Sequence, residues 1–280
     1  MSSRREVIAR TVKALGGLYP RSEAEAIART LLTQREAITA SQLIAFADEE
    51  CTLADEQTEA LIGELAEGRP LQYVLGHCEF CGLDFEVGEG VLIPRPETEE
   101  LVEAVIERAA DGCSVLDLCT GSGCIAVSLA KRLKNSTITA VDISPKALEY
   151  ARRNAIRNGV AIDFAEADIF ENLFDANRSF DIIVSNPPYV PAADRESMHI
   201  NVVGFEPHEA LFVPDGDQLR FYRRIGELGR RLLREGGLLC FEIYELNAGP
   251  LSELMKELNY TGIKILDDAN LKPRILCCRK

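Results

Sequence analysis

Ser185-Asn-Pro-Pro-Tyr189 holds the residues best suited to chemistry. Prolines 187 and 188 fix φ and remove two backbone donors. Each also disfavours helix for the residue before it, so Asn186 is held extended. What remains is a stiff corner rich in acceptors: the Asn186 side-chain oxygen, the Pro187 carbonyl and the flat face of Tyr189. Such a corner suits a planar NH₂ group, because two acceptors can take its two hydrogens while the ring packs on its plane. An amide nitrogen is a poor nucleophile because its lone pair is delocalised, the resonance behind a rotation barrier of ~18–20 kcal/mol. Acceptors that favour a pyramidal nitrogen localise that lone pair and aim it at an electrophilic carbon, by positioning and electrostatic preorganisation. No strong general base is needed, since an N-protonated, alkylated amide is itself very acidic. The plain alternative is a rigid proline turn.

Asp117-Leu-Cys-Thr-Gly-Ser-Gly123 is the second constellation. Glycines 121 and 123 permit a tight turn and close approach of a ligand to the backbone. Asp142 ends the following strand, where a carboxylate typically accepts hydrogen bonds from ribose hydroxyls. Together they indicate an adenosine-type ligand. The glycine spacing alone is weakly specific. Asp117 decides more: an acid at the strand end repels a pyrophosphate but suits the ammonium and sulfonium charges of S-adenosylmethionine. Asp168, after the third strand, is placed to meet an adenine amino group.

These residues need a sheet to carry them. From residue 96 strands and helices alternate: strands at 114–118, 137–141, 161–165, 181–185, 238–243, 261–267 and 273–279, with helices at 97–110, 124–134, 145–158, 217–235 and 248–258. That order means α/β architecture, a mostly parallel sheet with helices on both faces and ligands at the carboxyl edge of the strands. Residues 1–70 show apolar spacings of three and four, which predict a small bundle of about four helices. Ser22 before Glu25 resembles a capping box. Residues 71–95 are short, β-prone runs around Gly82, including Gln72-Tyr-Val-Leu-Gly76, and predict a β-hairpin linker. The expected domains are thus 1–70, 71–95 and 96–280.

Asp117–Gly123, Asp142 and Asn186–Tyr189 resemble the class I S-adenosylmethionine-dependent methyltransferases that act on planar nitrogens. The chain is more closely similar to the PrmC/HemK family, the release-factor glutamine N5-methyltransferases. The similarity covers nearly the whole chain, through Arg69-Pro-Leu-Gln-Tyr-Val-Leu-Gly76, Glu79-Phe-Cys-Gly-Leu83, Val91-Leu-Ile-Pro-Arg-Pro-Glu-Thr-Glu99, Glu206-Pro-His-Glu-Ala-Leu211 and Phe221-Tyr-Arg223. The Arg-Pro-Glu-Thr-Glu run is specific, whereas Asn-Pro-Pro-Tyr is shared with adenine DNA methyltransferases. The resemblance implies a Rossmann-like seven-stranded methyltransferase sheet and methylation of the Gly-Gly-Gln glutamine of class I peptide-chain release factors. It implies that S-adenosylmethionine contacts Asp117, Cys119, Thr120, Gly121, Ser122, Gly123, Asp142, Asp168, Ile169 and Asn186. Asn186, Pro187, Pro188 and Tyr189 would bind the target amide, with Asn186, Pro187 and Tyr189 catalytic. The N-terminal bundle would grip the release factor or act as a stabilising cap. Two departures stand out. Cys119 replaces a usual glycine, and the Glu-Ile-Gly-x-x-Gln pattern reads Glu242-Ile-Tyr-Glu-Leu-Asn247.

Composition excludes several rivals. The 280 residues include 31 basic and 45 acidic side chains, a formal net charge of −14. Residues 1–85 carry 8 basic and 14 acidic groups and the remainder 23 and 31, so neither half has the basic surplus of extended nucleic-acid binding. That counts against the runner-up, an adenine-N6 DNA or RNA methyltransferase. The intact Asn-Pro-Pro-Tyr corner counts against a non-catalytic adenosine-binding regulator. No run approaches the ~18 apolar residues of a membrane span. Nine cysteines without a secretory signal read as reduced thiols in a cytoplasmic protein. An amphipathic transit peptide is the alternative for the first residues, and Glu6 disfavours it. His77-Cys78-x-x-Cys81 lacks a second cluster for zinc, so buried thiols are expected and no metal. Arg223-Arg224 and Arg230-Arg231 read as solvated helix face. A monomer is expected.

Overall fold

In a computed structural model that describes residues 2–171, 173–174 and 178–280, the chain forms two compact units. The first comprises residues up to His77 together with His199–Phe205. Its helices are α1 (Arg4–Leu15), α2 (Arg21–Glu36), α3 (Ala40–Ala45), α4 (Asp55–Ala66) and α5 (Leu71–Leu75). Leu15, Ala24, Leu31, Leu65 and Val74 close one core, and Val7, Leu32, Leu43 and Cys51 another. The capping boxes fall at Ser3–Glu6 and Thr39–Gln42. The expected box at Ser22 does not form, because α2 starts directly behind Pro20 and Ser22 already lies inside the helix. Residues 71–75 are helix rather than strand. Pro70 opens that turn, Gly76 at φ 83° closes it, and burial of Tyr73 and Val74 outweighs their β preference.

The second unit starts at Cys78, within the hairpin of β1 (His77–Phe80) and β2 (Leu83–Glu86). Cys81 and Gly82, both at positive φ, make the two-residue turn that matches strand twist. Phe80 and Phe85 pack edge to face in the core beneath. In chain order follow α6 (Pro96–Ile106), β3 (Ser114–Leu118), α7 (Cys124–Arg132), β4 (Thr137–Asp142), α8 (Pro145–Arg157), β5 (Asp163–Glu166), β6 (Phe180–Ser185) and β7 (Val190–Pro191). A short helix, α9 (Ile200–Val203), belongs to the helical unit, where His199 lies 4.7 Å from the Tyr19 ring and bonds the Leu18 carbonyl. The chain then completes β8 (Phe212–Val213), α10 (Arg220–Leu232), β9 (Leu233–Glu242), α11 (Ala248–Glu257), β10 (Thr261–Asp267) and β11 (Pro273–Arg279).

Seven strands pair in the order β10-β11-β9-β6-β3-β4-β5, parallel except where β11 joins β9 and β10. The sheet is apolar on both faces. Val115, Ile182 and Val184 face a core shared with α6 and α7, while Leu116, Leu118 and Ile183 face one shared with α10 and α11. Helix α10 ends at Leu232, not at the Gly236-Gly237 pair, because Leu233 pairs with Phe180 and the register shift before Ile182 absorbs the glycines into β9. Cys240 and Cys277 lie directly opposite in the antiparallel register, Cα atoms 4.3 Å apart, and are joined by a disulfide. This corrects the expectation of nine thiols: residues 37 apart in sequence meet only once the strands pair. The other seven cysteines are free, and burial pushes the thiols of Cys78 and Cys81 up to about 12 and about 11. No described helix is long and apolar enough to cross a membrane.

The strand-to-helix turn after β3 depends on Gly123, which sits at φ 80° at the start of α7. A Cβ there would stand 3.0 Å from the Cβ and 3.1 Å from the Cα of Ala151 in α8. Gly123→Ala therefore combines left-handed strain with a backbone collision, and is expected to cost about 2 kcal/mol in denaturant unfolding. An unchanged midpoint would show that the loop can reshape around a side chain.

Candidate active site

The parallel order reverses at β3: the chain moves to β4 and β5 on one side and returns to β6 and β9 on the other. Such a switch point leaves a crevice at the carboxyl ends of the two central strands. The glycine loop leaves β3 there and the Asn-Pro-Pro corner leaves β6. Leu118 and Ser185 are register partners, and Ser185 Oγ donates to the Leu118 carbonyl at 2.6 Å.

The loop is built over a buried acid. Asp117 is fully buried; Thr120 Oγ1 donates to its Oδ2 at 2.5 Å, while Oδ1 has no hydrogen-bond partner. Burial, reinforced by the nearby Asp142 charge, pushes the Asp117 carboxyl up to about 7. The Thr120 N–H donates to the Val141 carbonyl at 3.0 Å, and the Gly121 N–H to Asp142 Oδ2 at 2.8 Å. Asp142 Oδ1 accepts the Ser144 N–H at 2.9 Å, so this one carboxylate ties the loop after β3 to the start of α8. Burial raises the Asp142 carboxyl against those backbone donors, which pull it down. Cys119 stands at φ 61°, the conformation that makes glycine the usual residue. Its thiol is pushed up by burial and by the surrounding acids.

A cavity of about 240 Å³ opens above the loop. Of the cofactor residues read from the sequence, Cys119, Thr120, Gly121, Ser122, Asp142, Asp168, Ile169 and Asn186 line it, whereas Asp117 and Gly123 do not. Asn186 and Pro188 line it from the substrate set; Pro187 is buried behind, and Tyr189 is half-buried off the wall. Tyr189 stacks on Tyr244 with ring centres 6.4 Å apart and donates to Glu242 Oε1 at 2.9 Å. Thr98 Oγ1 donates to Glu242 Oε2 at 2.6 Å and lies 3.2 Å from Asn186 Nδ2. Tyr244, at the position of the second departure, also donates to Asp194 at 3.0 Å.

The wall contains residues that the motifs did not assign: the segment 90–95, Thr98, Ile143, Phe170, Pro207, Glu209, Ala210 and Phe221. Glu206 braces two of these segments. It is buried, and it accepts the Ile93 N–H at 3.0 Å and Arg95 Nη2 at 2.6 Å. The sequence carried one signal for these, Ile143 as an apolar residue directly after Asp142; the structure leaves it 58% exposed. Arg224 is not a solvated face residue as expected; it donates to the carbonyls of Ile169 and Glu171 and pins the wall segment that follows β5. Among the described residues no cluster of His, Cys, Asp and Glu could hold a metal ion.

Asp142, Asp168 and Glu209 face the cavity, and among the described residues Arg95 is its one lining cation, already paired with Glu206. That charge balance suits a cationic ligand and opposes a pyrophosphate. The unpaired Asp117 oxygen beneath the loop is a further acceptor in search of a donor. Ile143, Ile169, Phe170 and Phe221 supply apolar surface for a flat base. These residues fit S-adenosylmethionine.

Residues 6–76 match the PrmC N-terminal domain, and residues 96–204 the methyltransferase small domain. A release factor glutamine methyltransferase of Bacteroides thetaiotaomicron is 40% identical over 269 residues, covering 96% of this chain and 97% of that protein. Its counterpart in Flavobacterium psychrophilum is 46% identical over 217 residues, 76% of each chain. The chain belongs to the release factor glutamine methyltransferase family. A solved methyltransferase from Pyrococcus furiosus superposes with a TM-score of 0.53 at 20% identity, over 71% of this chain and 89% of that one, and so shares the fold. The family is S-adenosylmethionine-dependent, and the methyltransferase small domain matched at residues 96–204 contains Asp117, Gly121, Gly123, Asp142 and the Asn-Pro-Pro-Tyr corner.

The raised Asp117 carboxyl carries a testable sign. The folded protein keeps that proton up to about pH 7, whereas an unfolded chain releases it near pH 4. Between those values the folded state binds more protons, so raising pH through this window removes stability. Asp117→Asn has no such loss. In urea unfolding without ligand, its stability relative to the wild type should grow from about pH 4 to about pH 7, reaching a few kcal/mol in order of magnitude. A pH-independent difference would mean that Asp117 ionises normally.

Proposed function

We propose that the protein transfers a methyl group from S-adenosylmethionine to the side-chain amide nitrogen of the glutamine in the Gly-Gly-Gln motif of class I peptide-chain release factors, tuning translation termination. One observation carries this reading: the stiff acceptor corner and the acid-lined glycine loop open on the same cavity, with Asn186, Gly121 and Asp142 all on its wall.

When bound, S-adenosylmethionine supplies an electrophilic methyl carbon on a sulfonium. The chain's own part is to prepare the amide. Asn186 Oδ1 and the Pro187 carbonyl accept its two N–H groups and favour a pyramidal nitrogen. Tyr189 packs beside it, held by Glu242 below and Tyr244 behind. From the cavity wall Asp142 and Asp168 would hold the donor through its ribose and adenine, and the Asp117 carboxyl would favour its ammonium from beneath the loop. The alkylated amide is acidic enough to give its proton to water, so no side chain need act as a strong base. The helical unit, which matches the PrmC N-terminal domain, grips the release factor. The protein acts as a monomer in the cytoplasm, where its substrate is made.

Labelled methyl donor offered with a release factor, its Gln→Ala variant and plain DNA tests the reading. Label in the intact release factor alone is the expected result. Label in DNA alone would favour an adenine methyltransferase, and label in none a binding protein. Asn186→Ala should lower kcat on the release factor by about 100-fold, in line with removal of one preorganised polar group. Its cofactor Kd should stay within about threefold, less than 1 kcal/mol. Equal losses in both would remove Asn186 from the role assigned here.

A further inference from the structure

Asn186 presents either an oxygen or an NH₂ to the notch, and the two ends of a carboxamide have the same shape. Only the oxygen can accept a hydrogen from a substrate amide. Something must therefore select one flip of the Asn186 side chain, and the residues beneath the corner supply a proton inventory that does so.

Glu242, the last residue of β9, is buried, with 1% of its surface exposed. As a carboxylate it only accepts hydrogen bonds. Tyr189 donates to one of its oxygens at 2.9 Å and Thr98 to the other at 2.6 Å. Thr98 has a single hydroxyl proton, which is spent on Glu242. Toward Asn186, 3.2 Å away, Thr98 Oγ1 can then only accept. The Asn186 NH₂ must face Thr98, and its oxygen is left for the notch. We propose that Thr98 and Glu242 are positioning residues that set the flip of Asn186 and so make it an acceptor for the substrate amide. This rests on the amide-methylation reading above, in which Glu242 only held Tyr189 and Thr98 had no part, and gives both a role in setting the Asn186 side chain.

The inventory also reverses. A protonated Glu242 can donate to Thr98, which then turns its own proton toward Asn186 and stabilises the opposite flip, with NH₂ facing the notch. Burial pushes the Glu242 carboxyl up, and Glu97 at the start of α6 adds to this; the bonds from Thr98 and Tyr189 and the charge of Arg274 on β11 pull it down. Tyr222 of α10 donates to the Glu242 backbone carbonyl at 3.1 Å. Burial dominates, so the carboxyl titrates above the usual carboxylate range. The active flip belongs to the ionised form. The rate should fall as pH drops through that raised value and level off above it.

The test uses the full-length protein with a release factor and saturating S-adenosylmethionine. Thr98→Val keeps the shape and removes the acceptor; Thr98→Ser keeps the hydroxyl and loses the methyl group. The expected result is a kcat lowered by about 10-fold or more in Thr98→Val, with cofactor Kd unchanged and kcat restored in Thr98→Ser. A packing role predicts the reverse order, because valine fills the site and serine leaves a void. Glu242→Gln cannot titrate, so the acid limb of the wild-type kcat profile should vanish. A Thr98→Val kcat within about twofold of wild type overturns the proposal, as does equal impairment of Thr98→Ser, or an acid limb that survives in Glu242→Gln. Failure of the wild type itself to methylate the release factor overturns the proposed function instead, and this assignment falls with it.

Discussion

The pairing of β3 with β6 is the constraint on which the site depends. Because Leu118 and Ser185 are parallel register partners, two segments 67 residues apart in sequence leave the sheet side by side. One carries the ligand loop and the other the acceptor corner. A slip of one residue would turn Asp117 and Val184 to the opposite faces of the sheet and separate the two segments. The register is held by apolar burial on both faces, with Val115, Ile182 and Val184 in one core and Leu116, Leu118 and Ile183 in the other. Chemistry at the edge is therefore set by packing well below it.

The electrostatics work in the same direction. A buried carboxyl with an unpaired oxygen is costly, and Asp117 bears that cost directly under the loop. The fold offsets only part of it, through Thr120. Asp142 meets the opposite treatment: its oxygens accept backbone N–H groups from Gly121 and Ser144, so it shapes the loop while it faces the cavity. One acid is left wanting a donor and the other is used as a strut. Arg95, the one lining cation among the described residues, is neutralised by Glu206, so the cavity keeps its negative character.

Much of this was legible in the sequence, for identifiable reasons. The strands at 114–118 and 273–279 are short, mostly apolar runs, and their bounds agree with the structure. The glycine loop and Asp142 follow from a local rule about strand ends. Residues 71–75 read wrongly because Tyr73 and Val74 favour strand locally, and only burial against the helical core reveals the helix. The Cys240–Cys277 pair, the Arg224 clamp and the Glu206 brace depend on contacts between distant segments. No spacing rule reports such contacts. Tyr244, met in the sequence only as a departure from a pattern, is in the structure the ring stacked behind Tyr189.

Rigidity at the corner comes without a penalty in the sheet. The last paired residue of β6 is Ser185, and pairing resumes when the Val190 N–H donates to the Leu211 carbonyl at 2.9 Å. Pro187 and Pro188 fall between these anchors, where no ladder bond is required of them. Both are buried, so their rings add packing as well as fixed φ. A flexible loop could carry the same Asn and the same carbonyl, but it would have to order them for each amide it met. In the proposed reaction the ordering would be complete before the substrate arrives, and that is the condition under which two neutral acceptors can alter the shape of a nitrogen. The same reasoning explains why the corner contains no charged residue. A carboxylate would bind the amide more strongly in its planar ground state as well as in its pyramidal form, and the preference between the two is what the reaction needs.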